Sequence, residues 1–324
     1  MKKFIATTTI SNDPENTCYI DFLENHKDWT LVIAGDEQTD DSMYYDLVKN
    51  KNAKYLSLGD QSDLSEDLNK ALGIRTDCRK MFSILFSYSE GADVVALIDD
   101  DNYPLENWGK NLFVNEETSS YLITPENFVL DPLSVIKYDD KIWHRGYPLS
   151  MLKEREYLDI DPFTFTPLVQ ADLWKGEPDV DAISRMITTT NKFLDKDDSV
   201  EHKFFPFTTN KFSPFNSQNT FLSRSIIPYY FLFPSLKRMS DIWISYYLEA
   251  LHNKPIVVYN EPTVRQKRND HNISKDFSKE VLGYVKTESL LKDLRMFPYY
   301  FSKYVTKKEW EGYLEYIKFC LEEE

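Results

Sequence analysis

Six residues, Asp93-Val94-Val95-Ala96-Leu97-Ile98, form a nearly all-apolar run that stops abruptly in Asp99-Asp100-Asp101-Asn102. A run that short and that apolar reads as a strand buried on both faces, the pattern of a parallel sheet. Phe4–Ile10, Trp29–Ala34 and Ala53–Leu58 read as further strands. Between them Cys18–Lys27, Asp41–Lys49 and Asp77–Ser89 read as helices; in the last, Met81, Ile84, Leu85 and Tyr88 recur at helical spacing. Strands alternating with helices imply a parallel sheet covered by helices. Ligands of such sheets sit beyond the carboxyl ends of the strands. Asp36 and Asp99 to Asp101 fall at two such ends.

Composition narrows the function. The chain has 324 residues and a net charge of −15. Bulk electrostatics therefore argue against nucleic acid or anionic lipid as a partner, and an anionic substrate needs local cations or a metal. There are only nine glycines, the closest two being Gly59 and Gly73. G-x-G-x-x-G, G-x-x-x-x-G-K-[ST] and G-x-S-x-G are thereby excluded. Cys18, Cys78 and Cys320 lie far apart, which suits a reducing compartment. No apolar run reaches the ~18 residues of a membrane span. Met1-Lys2-Lys3 ahead of Phe4 reads as the start of a buried strand and not as a leader. A soluble, cytoplasmic protein is expected.

Adjacent carboxylates on one tight turn repel each other unless a cation sits among them. Mg²⁺ and Mn²⁺ favour such oxygens and bind one or two carboxylates together with substrate phosphates. Asp99 and Asp101 are thus candidate metal ligands, with Asp100 beside them. The placement fits the D-x-D element of GT-A glycosyltransferases. Arg75 and Arg79 open the helix ahead of that strand, where unpaired backbone N–H groups favour an anion. Arg79 is the preferred pyrophosphate contact; an ordinary surface cation is the alternative.

Further short segments follow in order: Arg145-Gly146-Tyr147-Pro148-Leu149-Ser150, Asp172-Leu173-Trp174-Lys175-Gly176-Glu177-Pro178-Asp179-Val180-Asp181-Ala182 and Arg238-Met239-Ser240-Asp241-Ile242-Trp243. With the stretch from Arg79 to Asp101 they resemble the reversibly glycosylated polypeptides, the plant UDP-arabinopyranose mutases. The segments around Trp174 and Asp241, and Arg265-Gln266-Lys267-Arg268-Asn269-Asp270-His271-Asn272, are similar to the STELLO-type glycosyltransferase-like proteins. The matches span roughly residues 75–272. The resemblance implies a GT-A-like, Rossmann-related α/β fold, a UDP-sugar ligand and Mn²⁺ or Mg²⁺. It maps the reversibly glycosylated arginine of the mutases onto Arg145.

The remaining candidates each carry two readings. Asp241 is a base for an acceptor hydroxyl or a helix cap. Arg145 is the glycosylated residue or, as a guanidinium that stays protonated, a phosphate clamp or ion-pair partner. Asp179 and Asp181 bind sugar or acceptor hydroxyls, or form a turn after Pro178. Trp174 stacks on a sugar or is structural. His271 is a further metal ligand or a surface residue. Arg265 and Arg268 neutralise a leaving diphosphate. Thr7 and Thr8, ending the first strand, and Asp36, ending the second, line the base and ribose pocket by placement.

The expected architecture is a mixed, mostly parallel sheet flanked by helices. Residues 1–275 form the nucleotide-sugar-binding catalytic domain and 276–324 a C-terminal helical extension with a surface suited to a homodimer. The leading function is transfer from a nucleotide sugar to a glycan or lipid-linked glycan acceptor. The alternatives are a pyranose/furanose mutase of a UDP-sugar and a non-catalytic GT-A scaffold.

Overall fold

The computed structural model describes residues 1–136, 142–188, 204–252, 255–267, 272–293 and 297–322. Its strands are β1 (Lys3–Thr8), β2 (Thr30–Ala34), β3 (Ala53–Leu56), β4 (Val94–Leu97), β5 (Asn102–Pro104), β6 (Thr118–Pro125), β7 (Tyr157–Phe165), β8 (Val169–Gly176), β9 (Phe207–Thr208), β10 (Thr220–Ser223) and β11 (Val257–Gln266). Its α-helices are α1 (Tyr19–Asn25), α2 (Asp41–Val48), α3 (Leu58–Leu64), α4 (Glu66–Leu72), α5 (Lys80–Ser89), α6 (Pro132–Val135), α7 (Ala182–Ile187), α8 (Ser240–Ala250), α9 (Ile273–Lys292), α10 (Phe297–Tyr304) and α11 (Lys307–Glu322). The chain forms two compact units: residues 1–104, 217–235 and 302–324, and residues 105–216 and 236–301.

In the first unit the strand order is β3-β2-β1-β4-β10. The first four run parallel, and β10 is antiparallel to β4. Ile5, Ala6, Val32, Ile33, Val95, Ala96 and Leu97 are buried, as the apolar runs require. Met81, Ile84, Leu85 and Tyr88 of α5 are all buried, and so are Lys80, Phe82, Ser83 and Ser87, so the helix is covered on nearly every side. The Tyr88 hydroxyl also donates to the Cys320 carbonyl of α11, at 3.0 Å. Gly312 lets α11 lie against α4, because a Cβ there would stand 2.3 Å from the Ala71 Cβ. The expected helix start at Asp77 is instead a 3-10 turn, Asp77–Arg79, and the α-helix begins at Lys80. Helices α3 and α4 had no counterpart in the sequence reading. Ser57 and Asp60 begin the first through a reciprocal capping box.

In the second unit the order is β8-β11-β9-β6-β7. β8 pairs parallel with β11, β9 antiparallel with β11, β6 parallel with β9, and β7 antiparallel with β6. Strand β11 runs on through Gln266. Gly176 at φ 83° lets β8 close on β11, where a Cβ would meet the Gln266 carbonyl oxygen at 2.4 Å. Helix α8 begins only at Ser240, since Pro234 to Met239 form 3-10 turns broken at Lys237 (φ 52°, ψ −131°). The fold is therefore mixed α/β with helices flanking the sheet, and no helix among the described residues is long and apolar enough to cross a membrane.

Candidate functional site

The structure gathers the candidate residues into two clusters, one within each unit. The first is the acidic turn after β4. Lys80, the first residue of α5, is 1% exposed and places its ammonium 2.5 Å from Asp99 Oδ1 and 3.0 Å from the Ser217 carbonyl oxygen. Gln218 donates to the other Asp99 oxygen. The Asp99 backbone N–H donates to Asn102 Oδ1 at 2.8 Å, which tightens the turn. The Thr9 hydroxyl donates to Asp100 Oδ2 at 2.6 Å. Burial pushes the Asp100 carboxyl up, with the Asp99 charge adding to it and the Thr9 hydroxyl and Lys80 opposing. Asp101 is half-buried, and its Oδ1 accepts from Asn102 at 3.2 Å.

Several residues expected to face a nucleotide have partners within the first unit. Thr7 is fully buried with its hydroxyl 3.2 Å from that of Tyr19. Thr8 is half-buried and donates to the Ala34 carbonyl at 2.8 Å. Asp36 is 3% exposed, and its carboxylate accepts the backbone N–H groups of Glu37, Arg75 and Thr76 at 2.7–3.0 Å. Its charge is spent on holding the loop before α5. Arg75 pairs at the surface with Glu37 at 2.6 Å. Arg79, the preferred pyrophosphate contact, is wholly buried. It donates to Gln61 Oε1 at 2.7 Å, the Gly73 carbonyl at 2.5 Å and Asn69 Oδ1 at 3.0 Å. A buried cation must be satisfied internally, so Arg79 pins the loop to α3 and α4 and does not reach outward.

The second cluster surrounds Arg145, which is 5% exposed. Its Nε donates to both Asp179 oxygens at 2.9–3.0 Å. Nη1 and Nη2 each reach one Asp241 oxygen at 2.8 Å. Nη2 also lies 2.7 Å from Asp179, and Nη1 donates to the Arg238 carbonyl. All five guanidinium N–H groups thus have partners. Burial pulls this guanidinium down, but the Asp179 and Asp241 charges with their hydrogen bonds together hold it well above its ordinary value. Asn216 Nδ2 adds a bond to Asp179 at 2.8 Å. Arg238 Nε donates to the fully buried Glu280 of α9 at 2.5 Å.

This geometry bears on the paired readings made from sequence. Arg145 is buried and takes the ion-pair role. Asp241 is the second residue of α8, bound by the arginine fork, and Met239 occupies the cap position. Asp181 turns away from Asp179: it caps α7 through the Ser184 N–H and accepts the Trp143 indole N–H. Burial pushes Asp181 up to about 7, opposed by the Ser184 and Trp143 bonds and reinforced by Glu280. Trp174 is 5% exposed, with its ring at 67° to the His144 ring and 5.9 Å away. It is not open to stack on a sugar. His144 Nδ1 bonds the Arg145 carbonyl oxygen at 2.8 Å, and burial pulls the ring down toward its neutral form. Arg265 is half-buried on β11, in register with Lys175. Arg268 and His271 lie outside the described residues.

Sequence reading missed Lys80, Gln218, Asn216 and Glu280. Lys80 directly follows Arg79 in the cationic stretch that opens the helix, and that was its signal; its burial beside Asp99, 19 residues away, is set by the fold. Gln218 and Glu280 reach their partners across long sequence separations that no local pattern reports. Among the described residues no group of three or more His, Cys, Asp or Glu side chains is arranged to hold a metal ion.

No protein-family model matches the chain, and no curated protein matches it. Among solved structures, a mycobacterial protein is similar at TM-score 0.44 and 10% identity, over 89% of this chain and 73% of that one. Staphylococcus aureus TarS residues 1–349 in complex with UDP-GlcNAc gives TM-score 0.41 and 14% identity, over 100% and 81%. The same protein with UDP gives 0.40 and 11%, over 100% and 81%.

Proposed function

We propose that this chain is a GT-A-like glycosyltransferase that binds a nucleotide sugar, in particular a UDP-sugar, at the acidic turn after β4. One observation carries the reading: Asp99, Asp100 and Asp101 stand at the carboxyl end of a buried parallel strand, over the buried ammonium of Lys80. That end of a parallel sheet is where such folds bind ligands.

A divalent ion is part of the proposal, and the donor set bears on where it binds. Lys80 already neutralises Asp99 at Oδ1, so Asp99 is a poor direct ligand. Asp101 is a half-buried hard oxygen donor of the kind that Mg²⁺ or Mn²⁺ takes together with phosphate oxygens. When bound, the ion would offset diphosphate charge. Lys80 and Gln218 hold the Asp99 carboxylate in one orientation, and Asn102 holds the turn. Asp36 and Arg79 fix the flanking loop. Asp179 and Asp241 fix Arg145, which in turn fixes the segment before α8.

Within this reading residues 1–275 form the catalytic portion and 276–324 pack against it. The acceptor is a glycan or lipid-linked glycan, and the location is cytoplasmic. The Asp179 and Asp241 carboxylates hold the Arg145 guanidinium protonated, and a protonated guanidinium is a poor nucleophile, which favours transfer over the mutase alternative.

The test is an acceptor-free incubation with a panel of UDP-sugars and Mn²⁺, followed by chromatography of the nucleotide and intact mass of the protein. Unchanged or slowly hydrolysed donor with no adduct supports the transferase. A furanose isomer with a glycosyl adduct on Arg145 refutes it in favour of the mutase.

A further inference from the structure

A cavity of about 230 Å³ lies in the first unit, between α1 and the amino-terminal halves of β1 and β2. The acidic turn follows the carboxyl end of β4, which runs parallel to β1, so the cavity stands at the other end of the strands. Its floor is apolar and aromatic. Ile5 and Leu31 are register partners on β1 and β2, and with Phe22 of α1 and Trp29 they are 1–2% exposed. His26, at the carboxyl cap of α1, adds a ring 5.6 Å from that of Phe22 and tilted by 47°. Close-packed proteins leave few voids larger than a water molecule. A cavity of about 150 Å³ lined by similar groups holds benzene, so this one has room for a fused pair of aromatic rings.

The walls are held in place by the chain itself. Asn52 Nδ2 donates to the Trp29 carbonyl at 2.9 Å and to the Lys27 carbonyl at 3.3 Å, and Asn52 Oδ1 accepts from the Thr30 hydroxyl at 2.9 Å. The Leu31 N–H donates to the Asn52 carbonyl at 3.1 Å. The charges at the mouth are of one sign. Lys27 and Lys51 line it and are exposed, and among the described residues no carboxylate lines it. The neighbouring Asp28 carboxylate is taken by Lys3, whose ammonium also stands 5.0 Å from the Trp29 ring. In a chain of net charge −15 this is a local reversal of sign.

We propose that this cavity is a second ligand site, which takes a small planar aromatic compound bearing an anionic group. The ligand rings enter among Phe22, Trp29 and His26, where offset and edge-on ring contacts add to apolar burial. The anionic group stays at the mouth with the two lysines. Ligand pockets show this division, with mostly apolar walls and a few polar groups that fix orientation. An aliphatic chain would forgo the ring contacts, and a neutral ring would forgo the lysines. No residue of the acidic turn or of the Arg145 cluster takes part, so the proposal is independent of the nucleotide-sugar reading.

The test is isothermal titration of the full chain with 2-naphthoate and with its neutral counterpart, 2-naphthamide. Saturable binding of the naphthoate at one site is expected, with the amide about ten-fold weaker. Lys27→Gln with Lys51→Gln should bring the naphthoate down to the affinity of the amide. Leu23→Trp, at a half-buried position of α1 that lines the cavity, should abolish binding by filling the space. Circular dichroism checks that each variant folds, and the exposed lysine pair keeps the test decisive should Leu23→Trp unfold. No saturable binding of the naphthoate, equal affinity for acid and amide, or unaltered affinity in the lysine variant overturns the proposal.

Discussion

The Arg145 guanidinium grips both oxygens of Asp241 at 2.8 Å while its Nε spans both oxygens of Asp179. The three residues come from the R-G-Y-P segment, the P-D-V-D segment and the start of α8. Each carried a chemical reading and a structural one in sequence, and together they form a buried ion-pair network. Such a network is strongly destabilised when one partner is removed, because the others are left charged and unpaired.

Arg145→Met should accordingly lower stability by about 3–5 kcal/mol. Urea denaturation of the variant and the wild type reads this directly. An unchanged midpoint would mean that the network does not hold the second unit together.

Gly146 sits at φ 92°, and a Cβ there would approach Ile242 Cγ2 to 2.2 Å. Gly146→Ala combines a strained backbone with a steric clash and should cost about 2 kcal/mol or more. Ile242→Ala in the same chain removes the clash but not the strain. The double variant should therefore lose less than the two single losses added together, which thermal unfolding can measure. Simple additivity would show that the contact does not matter.

Asp172 on β8 is 2% exposed and accepts from Gln170 and Thr263 at 2.8 Å. Burial pushes it up to about 7, against those bonds. An acid whose pKa is higher folded than unfolded holds its proton more tightly when folded. Its stabilisation is complete below the unfolded carboxylate range, about 4, and is lost as pH rises through about 7. Asp172→Asn keeps the shape and stays neutral. The wild type should lose more melting temperature than Asp172→Asn between pH 5 and pH 8. Parallel curves would contradict the assignment.

Much of the first unit was legible because its signals are local. The apolar runs at Phe4, Leu31 and Val94 became β1, β2 and β4, and the 3.6-residue spacing of Met81 to Tyr88 became part of the buried surface of α5. Helices α3 and α4 escaped notice because their polar residues, Gln61 and Asn69 among them, face inward to hold Arg79. The acidic turn was visible as a motif, but its partner Lys80 was not singled out. In the second unit the motifs were visible, and each role stayed open between a chemical and a structural reading. A carboxylate that binds a hydroxyl and one that binds an arginine look alike in sequence, and the Arg145–Asp241 pair closes over nearly a hundred intervening residues.

The central claim is that the turn at Asp99 to Asp101 binds a nucleotide diphosphate. Isothermal titration of the wild type and of the Asp99→Ala, Asp101→Ala double variant with UDP in Mn²⁺ tests it, with circular dichroism confirming that the variant is folded. The account predicts binding to the wild type and a loss of at least ten-fold in the variant. Equal affinity in the two proteins, or no binding to the wild type, would contradict it.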